Sequence, residues 1–140
     1  MKIRNMHENE IATVILDEAF AVHTHYGPGV FERVYESALA GRLLSRGLSV
    51  LRQHTVHITD EYVQDEPGFI IDLLVGGKVI VELKSVETVL PVHKKQVLTY
   101  LRLMDRRLGL LINFNENRLK NGIWRIANNL NADDYPGYSI

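Results

Sequence analysis

Two acidic residues and a lysine lie close together in the sequence, and their types suit the binding of a metal ion. Asp72 stands within the apolar run 69–75, and Glu82 and Lys84 end the next apolar run, after a Gly-Gly pair. A carboxylate inside a sheet is costly unless another group compensates its charge. A second carboxylate and a lysine on the neighbouring strand, joined through a divalent cation, would provide that compensation most simply.

This combination is suited to phosphodiester hydrolysis, which needs charge stabilisation at the phosphoryl oxygens, an activated water and protonation of the leaving oxygen. Carboxylate oxygens bind magnesium or manganese, which supply the first two, and a nearby lysine can position the water or neutralise developing charge. Glu82 and Lys84 are two residues apart on a strand and therefore share a face, with Leu83 pointing into the core. Two solvated charges at a strand end would explain Glu82 and Lys84 as well.

Whether Asp72 joins Glu82 depends on the register of the strand pair. A two-residue glycine loop would pair Asp72 with Val81 and place Glu82 on the opposite face. A three-residue loop that includes Lys78 would pair Asp72 directly with Glu82, and glycine suits the left-handed conformation that such a loop requires. Because a one-residue slip exchanges the faces, we predict the three-residue loop or a bulge with the same effect.

The composition is that of an ordinary globular protein. The chain has 140 residues, 46% of them apolar, and no cysteine, which excludes disulfides, zinc-thiolate sites and thiol nucleophiles. We expect a single domain over residues 1–130 and a loosely held tail over 131–140. No apolar run is long enough to cross a bilayer and no signal stretch is present, so a cytoplasmic location is expected.

Hydrophobic periodicity predicts helices over 9–25, 30–46 and 91–104, and strands over 48–59, 68–75, 78–84, 108–114 and 122–126. This order indicates an α/β sandwich around a mixed sheet. In the second helix, the apolar side is expected to contain Phe31, Val34, Ala38, Leu39 and Leu43.

The net charge of −1 gives no overall attraction to nucleic acid, so any such binding needs a local basic patch. The best candidate is the cluster Lys94, Lys95, Arg102, Arg106 and Arg107. A solvated helix face is the more common meaning of such a charge run.

Three stretches of the chain carry a resemblance to a known family. They are residues 29–35 (Gly-Val-Phe-Glu-Arg-Val-Tyr), Asp72 followed by the Glu-Leu-Lys of 82–84, and Gln96 with Tyr100 one helical turn later. Together they resemble the GxxExxY family, a member of the PD-(D/E)XK nuclease-like superfamily. One departure is Ile71, which stands where the superfamily often has a proline before its first acid.

The resemblance implies a restriction-endonuclease-like core, with a central mixed four-stranded sheet flanked by helices, and metal-dependent cleavage of DNA or RNA. It implies Asp72 and Glu82 as ligands of magnesium or manganese, with the Leu83 backbone carbonyl as a further ligand. Lys84 would act on the water, and Gln96 would orient water or contact phosphate.

Many members of the superfamily also place a helical glutamate near the metal. Glu32 and Glu36 both qualify, since they lie one turn apart on one helix face. We keep both and favour Glu36 on the metal side.

We expect nucleic acid as the partner, with Lys94, Lys95, Tyr100 and Arg102 as contacts, and a homodimer would double this modest basic patch. Two rival functions stay open. One is a catalytically silent module that binds nucleic acid or protein through the same cleft, and the other is a small-molecule phosphate hydrolase.

Overall fold

The structure is a computed structural model that describes residues 5–130, so the predicted tail 131–140 lies outside the described residues. Within that range the chain forms, in order, α1 (Glu8–Tyr26), α2 (Glu32–Ser45), β1 (Val50–Ile58), β2 (Glu66–Val75), β3 (Val79–Lys84), α3 (Pro91–Met104), β4 (Leu108–Asn113), a short 3-10 helix (Leu119–Gly122) and β5 (Ile123–Ala127). None of these helices is long and apolar enough to cross a membrane.

The strands form one mixed sheet in the order β1-β2-β3-β4-β5. The pair β3 and β4 is parallel, and α3 provides the crossover that a parallel pair requires. The other neighbours are antiparallel. The α/β class is confirmed, but the sheet has five strands rather than the expected four, because β1 pairs along nearly the whole length of β2 and extends the same sheet.

Helices cover both faces of the sheet, which explains why β4 is apolar throughout. On one face α1 and α2 pack on Leu73, Val81, Leu83 and their neighbours. On the other face Val97 and Leu101 of α3 pack against the sheet. Strands enclosed on both sides lose the alternation of apolar and polar residues and become continuously hydrophobic. The central strand β3 can therefore hold its polar end in a fixed position.

The second helix begins two residues later than predicted, and the expected burial of Phe31 is wrong. Phe31 is the residue before the helix, with extended backbone angles of φ −66° and ψ 148°, and its side chain is 84% exposed. Since it lies outside the helical turns, it does not follow their apolar stripe. Leu39 and Leu43, which do, are fully buried.

The predicted register of the β2–β3 hairpin is confirmed. Leu73 pairs with Val81 and Val75 pairs with Val79, so the loop has three residues, and Asp72 and Glu82 are the next positions along this register. Gly76 and Gly77 have φ values of +61° and +68°. These left-handed conformations favour glycine, because any Cβ atom would crowd the backbone.

We expect Gly77→Ala to lower the free energy of unfolding by about 1 kcal/mol, because alanine is strained at positive φ. No atom lies within 4 Å of the Cβ that it would add, so the loss reports backbone strain and not a clash. Gly41→Ala in α2 is the matched control, since it also meets no atom within 4 Å. That control should gain up to about 1 kcal/mol from helix propensity. Equal effects in urea unfolding would contradict the role of the loop.

Candidate functional site

The candidate site lies where β2 and β3 separate. Backbone pairing ends at Leu73 and Val81, and beyond this point carboxylates replace the backbone acceptors. The Asp72 N–H donates to Glu82 Oε1 at 2.9 Å, and the Leu83 N–H donates to Asp72 Oδ2 at 2.8 Å. Each carboxylate therefore binds the strand that carries the other, and the two acids converge as the register predicts.

The side-chain alternation of β2 breaks at Asp72. Ile71 and Leu74 belong to the core under α3, whereas Leu73 belongs to the core under α1 and α2. Opposite Asp72 on β1 stands Gln53, whose φ of +47° is unusual for a residue with a side chain. These irregularities place the Asp72 carboxylate where β2 and β3 separate. There it reaches Gln53 on β1 and Leu83 on β3.

Gln53 links Asp72 to a third acid. Its side-chain amide donates to Asp72 Oδ1 at 3.1 Å and also to Glu36 Oε1. Glu36 lies on α2, is only 7% exposed, and accepts hydrogen bonds from Arg52 at 2.9 and 3.1 Å. Glu36, Gln53 and Asp72 thus form one continuous polar chain across the gap.

The electrostatics of the acid pair show a deficit of positive charge. Burial, and then the charge of Asp72, raises the pKa of Glu82 to about 8. Burial, with a smaller contribution from Glu36, raises the pKa of Asp72. Both shifts mean that the ionised carboxylates are costly in this arrangement. A cation between them would remove that cost.

Lys84 is a cation whose charge acts on both acids of the pair. It lies half-buried at the end of β3, and its charge lowers the pKa of both Asp72 and Glu82. Its backbone is fixed because its carbonyl accepts from the Phe114 N–H at 2.9 Å. No hydrogen bond or ion pair engages its ammonium group within residues 5–130, so that group is available to a ligand.

The Leu83 carbonyl points to the same side of β3 as the Leu83 N–H. Backbone groups of successive strand residues point to opposite sides. The Lys84 carbonyl faces β4 through its bond from Phe114, whereas the Leu83 N–H faces Asp72. The Leu83 carbonyl therefore faces Asp72 as well.

Helix α3 brings Tyr100 towards the carboxylates. Burial, then the charges of Glu82 and Asp72, raises the pKa of Tyr100. The ring of Tyr100 stacks on Phe69, with centroids 4.2 Å apart. Gln96, one turn earlier, is exposed and has no hydrogen-bond partner in the described part of the chain. Gln96 thus lies on the same side of α3 as Tyr100, and no hydrogen bond within residues 5–130 holds its side chain.

The cations of the predicted basic cluster differ in their internal contacts. Lys94 lies over the Trp124 ring at 4.8 Å from its centroid, where a cation–π contact engages it. Arg106 donates to the Gly77 and Met104 carbonyls. Lys95 and Arg102 are exposed on α3, and of the cluster only these two are without such contacts within residues 5–130.

A cavity of about 370 Å³ opens beside the carboxylates and is lined by Glu32, Arg33, Glu36, Gln53, Asp72 and Leu83. Glu32 is exposed, and its charge contributes to the raised pKa of Glu82. Glu36 is buried and connected to Asp72 through Gln53. Both glutamates thus face the same cavity, and Glu36 is the one that is fixed in position.

The oxygen ligands at this site suit a hard divalent cation. No group of three or more acidic or histidine side chains between residues 5 and 130 is close enough to hold a metal ion. The available ligands are the Asp72 and Glu82 carboxylates and the Leu83 carbonyl. An all-oxygen set with few protein ligands suits magnesium or manganese, which retain water in their coordination shells. The raised pKa values are consistent with this set, because a bound cation would stabilise the ionised carboxylates.

Sequence reasoning missed Gln53, Arg52 and Asn113. A glutamine within a strand has no pattern that marks its positive φ, and Arg52 shows no periodicity. Asn113 ends an apolar run, and a polar residue at that position could have been recognised in the sequence as structurally important. Fully buried, it donates to the Val86 carbonyl at 2.8 Å and accepts from the Val86 N–H at 3.1 Å. These bonds fix the segment that follows Lys84.

A family model described as the PD-(D/E)XK nuclease superfamily matches residues 9–126 of the chain. No curated protein and no solved structure matches it.

The Glu82 pKa predicts a pH-dependent stability in the absence of metal. A folded-state pKa of about 8, against an ordinary value of 4.5, means that the protonated carboxyl stabilises the fold at low pH. This contribution is fully present below about pH 4.5 and is lost as the pH rises through about 8. Between these values, the free energy of unfolding of the wild type should fall by about 1–3 kcal/mol relative to Glu82→Gln.

Urea unfolding in chelator at both ends of this pH range tests the prediction. Glu61→Gln, at an exposed position between β1 and β2, is the control and should follow the wild type. Parallel pH dependences for Glu82→Gln and the wild type would contradict the assigned burial of the acid pair.

Proposed function

Because the chain belongs to the PD-(D/E)XK nuclease superfamily, we propose that Asp72, Glu82 and Lys84 hydrolyse phosphodiester bonds of DNA or RNA with magnesium or manganese. The observation that carries the proposal is the reciprocal hydrogen bonding of the two acids across the opened hairpin, with their raised pKa values and Lys84 beside them. Domains of this superfamily have a nuclease-like function, and its nucleases generally use divalent metals.

Each residue has a distinct part in the proposed reaction. Asp72 and Glu82 would hold the cation, together with the Leu83 carbonyl. Bound there, magnesium or manganese would polarise the phosphoryl oxygens and lower the pKa of the attacking water. The free ammonium of Lys84 would orient that water and offset the negative charge that develops as the phosphorus–oxygen bond breaks. The leaving oxygen takes its proton from solvent.

Further residues around the cavity and on α3 support the proposed hydrolysis. Gln53 holds Glu36 and Asp72 at a fixed separation, which prepares the ligand geometry before the cation binds. Gln96 on α3 would contact phosphate or water, because its amide is exposed and unpaired within residues 5–130. Lys95 and Arg102 on the same helix would contact more distant phosphates.

We place the chain within the superfamily in the GxxExxY family, on the strength of Gly29, Glu32 and Tyr35. The Tyr35 hydroxyl donates to the Gly27 carbonyl at 2.6 Å and accepts from the Val30 N–H at 3.2 Å. The tyrosine of the motif therefore fixes the turn that begins it, and that turn places Glu32 at the cavity.

A catalytically silent binding module is the second candidate. Its support is that both carboxylates already have backbone donors, so the fold can be stable without any cation. The third, a small-molecule phosphate hydrolase, is supported by the modest cavity and by a net charge of −1, which gives little attraction to long polyanions. A cytoplasmic location and a homodimer remain part of the proposal.

Calorimetric titration with manganese tests the metal site. We expect the wild type to bind one manganese ion with a heat signal that is lost in the double variant Asp72→Asn with Glu82→Gln, because both charged ligands are removed while the hydrogen-bonding shapes stay similar. Equal binding in the two proteins would refute the site.

A cleavage assay on mixed DNA and RNA separates the enzyme from its silent alternative. We expect Lys84→Ala to cut at least about 100-fold more slowly than the wild type while its manganese binding persists. Lys120→Ala, at an exposed position of the 3-10 helix, should cut at the wild-type rate. Unchanged cleavage by Lys84→Ala would refute the assigned role of the lysine.

A further inference from the structure

Phe31 is a large aromatic side chain that contributes almost nothing to the core. It is 84% exposed, although Tyr35 and Leu39 of the adjoining helix α2 are fully buried. Leaving a phenylalanine in water forfeits the stabilisation that its burial would give. Exposed aromatic rings beside a functional cleft are a common means of binding flat ligands.

A second cavity opens at Phe31. It has a volume of about 870 Å³, and its lining consists of residues 29–34 with Ser85 and Asn115. This volume lies within the range of sites that enclose a small molecule. Ser85 directly follows Lys84, and its hydroxyl donates to the Val30 carbonyl at 3.1 Å. The cavity therefore begins at the end of β3, the strand that carries Glu82 and Lys84.

The two cavities share part of their lining. Glu32 and Arg33 border the cavity of Phe31 and also the cavity of the carboxylates. Arg33 is exposed and supplies a cation at this junction. A ligand that extends from one cavity to the other would therefore meet an aromatic ring at one end, the Arg33 guanidinium beside the Glu32 carboxylate in the middle, and Asp72 at the other end.

We propose that Phe31 stacks on an unpaired nucleobase next to the scissile phosphate, so that the substrate is single-stranded or frayed nucleic acid and not an intact duplex. A nucleotide matches the sequence of groups along the cavities, because its base is flat and apolar on its faces and its phosphate is anionic. In a duplex the faces of a base are covered by its neighbours, and only an unstacked base can lie on a side chain. This inference rests on the proposed function.

Binding measured without turnover tests the stacking. Fluorescence anisotropy would use a labelled single-stranded oligonucleotide and the corresponding blunt duplex, with calcium in place of magnesium and the oligonucleotide recovered intact. We expect Phe31→Ala to weaken binding of the single strand about tenfold or more, since a base–aromatic stack contributes about 1–3 kcal/mol. Phe31→Trp should retain the affinity, and duplex binding should change less than about twofold.

Tyr62→Ala is the matched control. Tyr62 is also an exposed aromatic, at 88%, but it lies in the loop before β2, about 20 Å along the strand from Asp72. It should leave both affinities unchanged. Since neither ring is buried, both variants should unfold like the wild type. Equal affinity of Phe31→Ala and the wild type for the single strand, equal losses on single strand and duplex, or no binding of the single strand by the wild type would overturn the inference.

Cleavage of the same oligonucleotides distinguishes the two proposals. If the wild type cuts the single strand and Phe31→Ala cuts it with unchanged KM, the stacking site is refuted and the hydrolase stands. If the wild type binds the single strand through Phe31 but cuts neither substrate, the hydrolase is refuted and the stacking site stands.

Discussion

The structure depends on one exchange of hydrogen bonds, at the point where β2 and β3 stop pairing through their backbones. The Asp72 and Glu82 carboxylates accept the N–H groups that the backbone carbonyls would otherwise take. This keeps the opened ends of two strands together and satisfies donors that would be costly to leave unpaired. It also holds the two acids in a half-buried place, where burial raises the pKa of both and the charge of Asp72 raises the pKa of Glu82 further.

The rest of the fold holds this arrangement in place. β3 lies between β2 and the parallel β4, and helices cover both of its faces, so its polar end cannot move independently. The three-residue loop sets the register, and a slip of one residue would turn Glu82 into the core of α1 and α2. Asn113 fixes the chain after Lys84, and Tyr35 fixes the turn before Glu32. Each of these contacts positions a group at the cavities.

Much of the site could be predicted from the sequence, because it follows from local rules. An acid in an apolar run, a Gly-Gly loop and a polar strand end predict the convergence of Asp72 and Glu82 through register alone. The five strands were each visible as apolar runs, although the family pattern suggested a sheet of four. Phe31 was misassigned because an apolar residue one position before a helix has the same composition as one within it. Its exposure depends on where the helix begins, and the first turn carries no capping side chain to mark that point.

Other features depend on contacts between distant segments, which one sequence does not reveal. The bridge from Glu36 through Gln53 to Asp72 joins α2, β1 and β2, and no spacing predicts it. The contact of Lys94 with Trp124 similarly joins α3 to β5, and nothing in the run of basic residues indicates it. The contacts of such side chains form only when the sheet is assembled.

The central claim is that the opened hairpin binds a divalent cation, and NMR titration with manganese measures this most directly. A paramagnetic ion broadens the signals of the nuclei nearest to it. We expect the backbone amides of Asp72 and Leu83 to broaden first, at less than one equivalent of manganese. Asp72→Asn should abolish this effect. Broadening that begins elsewhere while these two amides remain sharp would contradict cation binding at the opened hairpin.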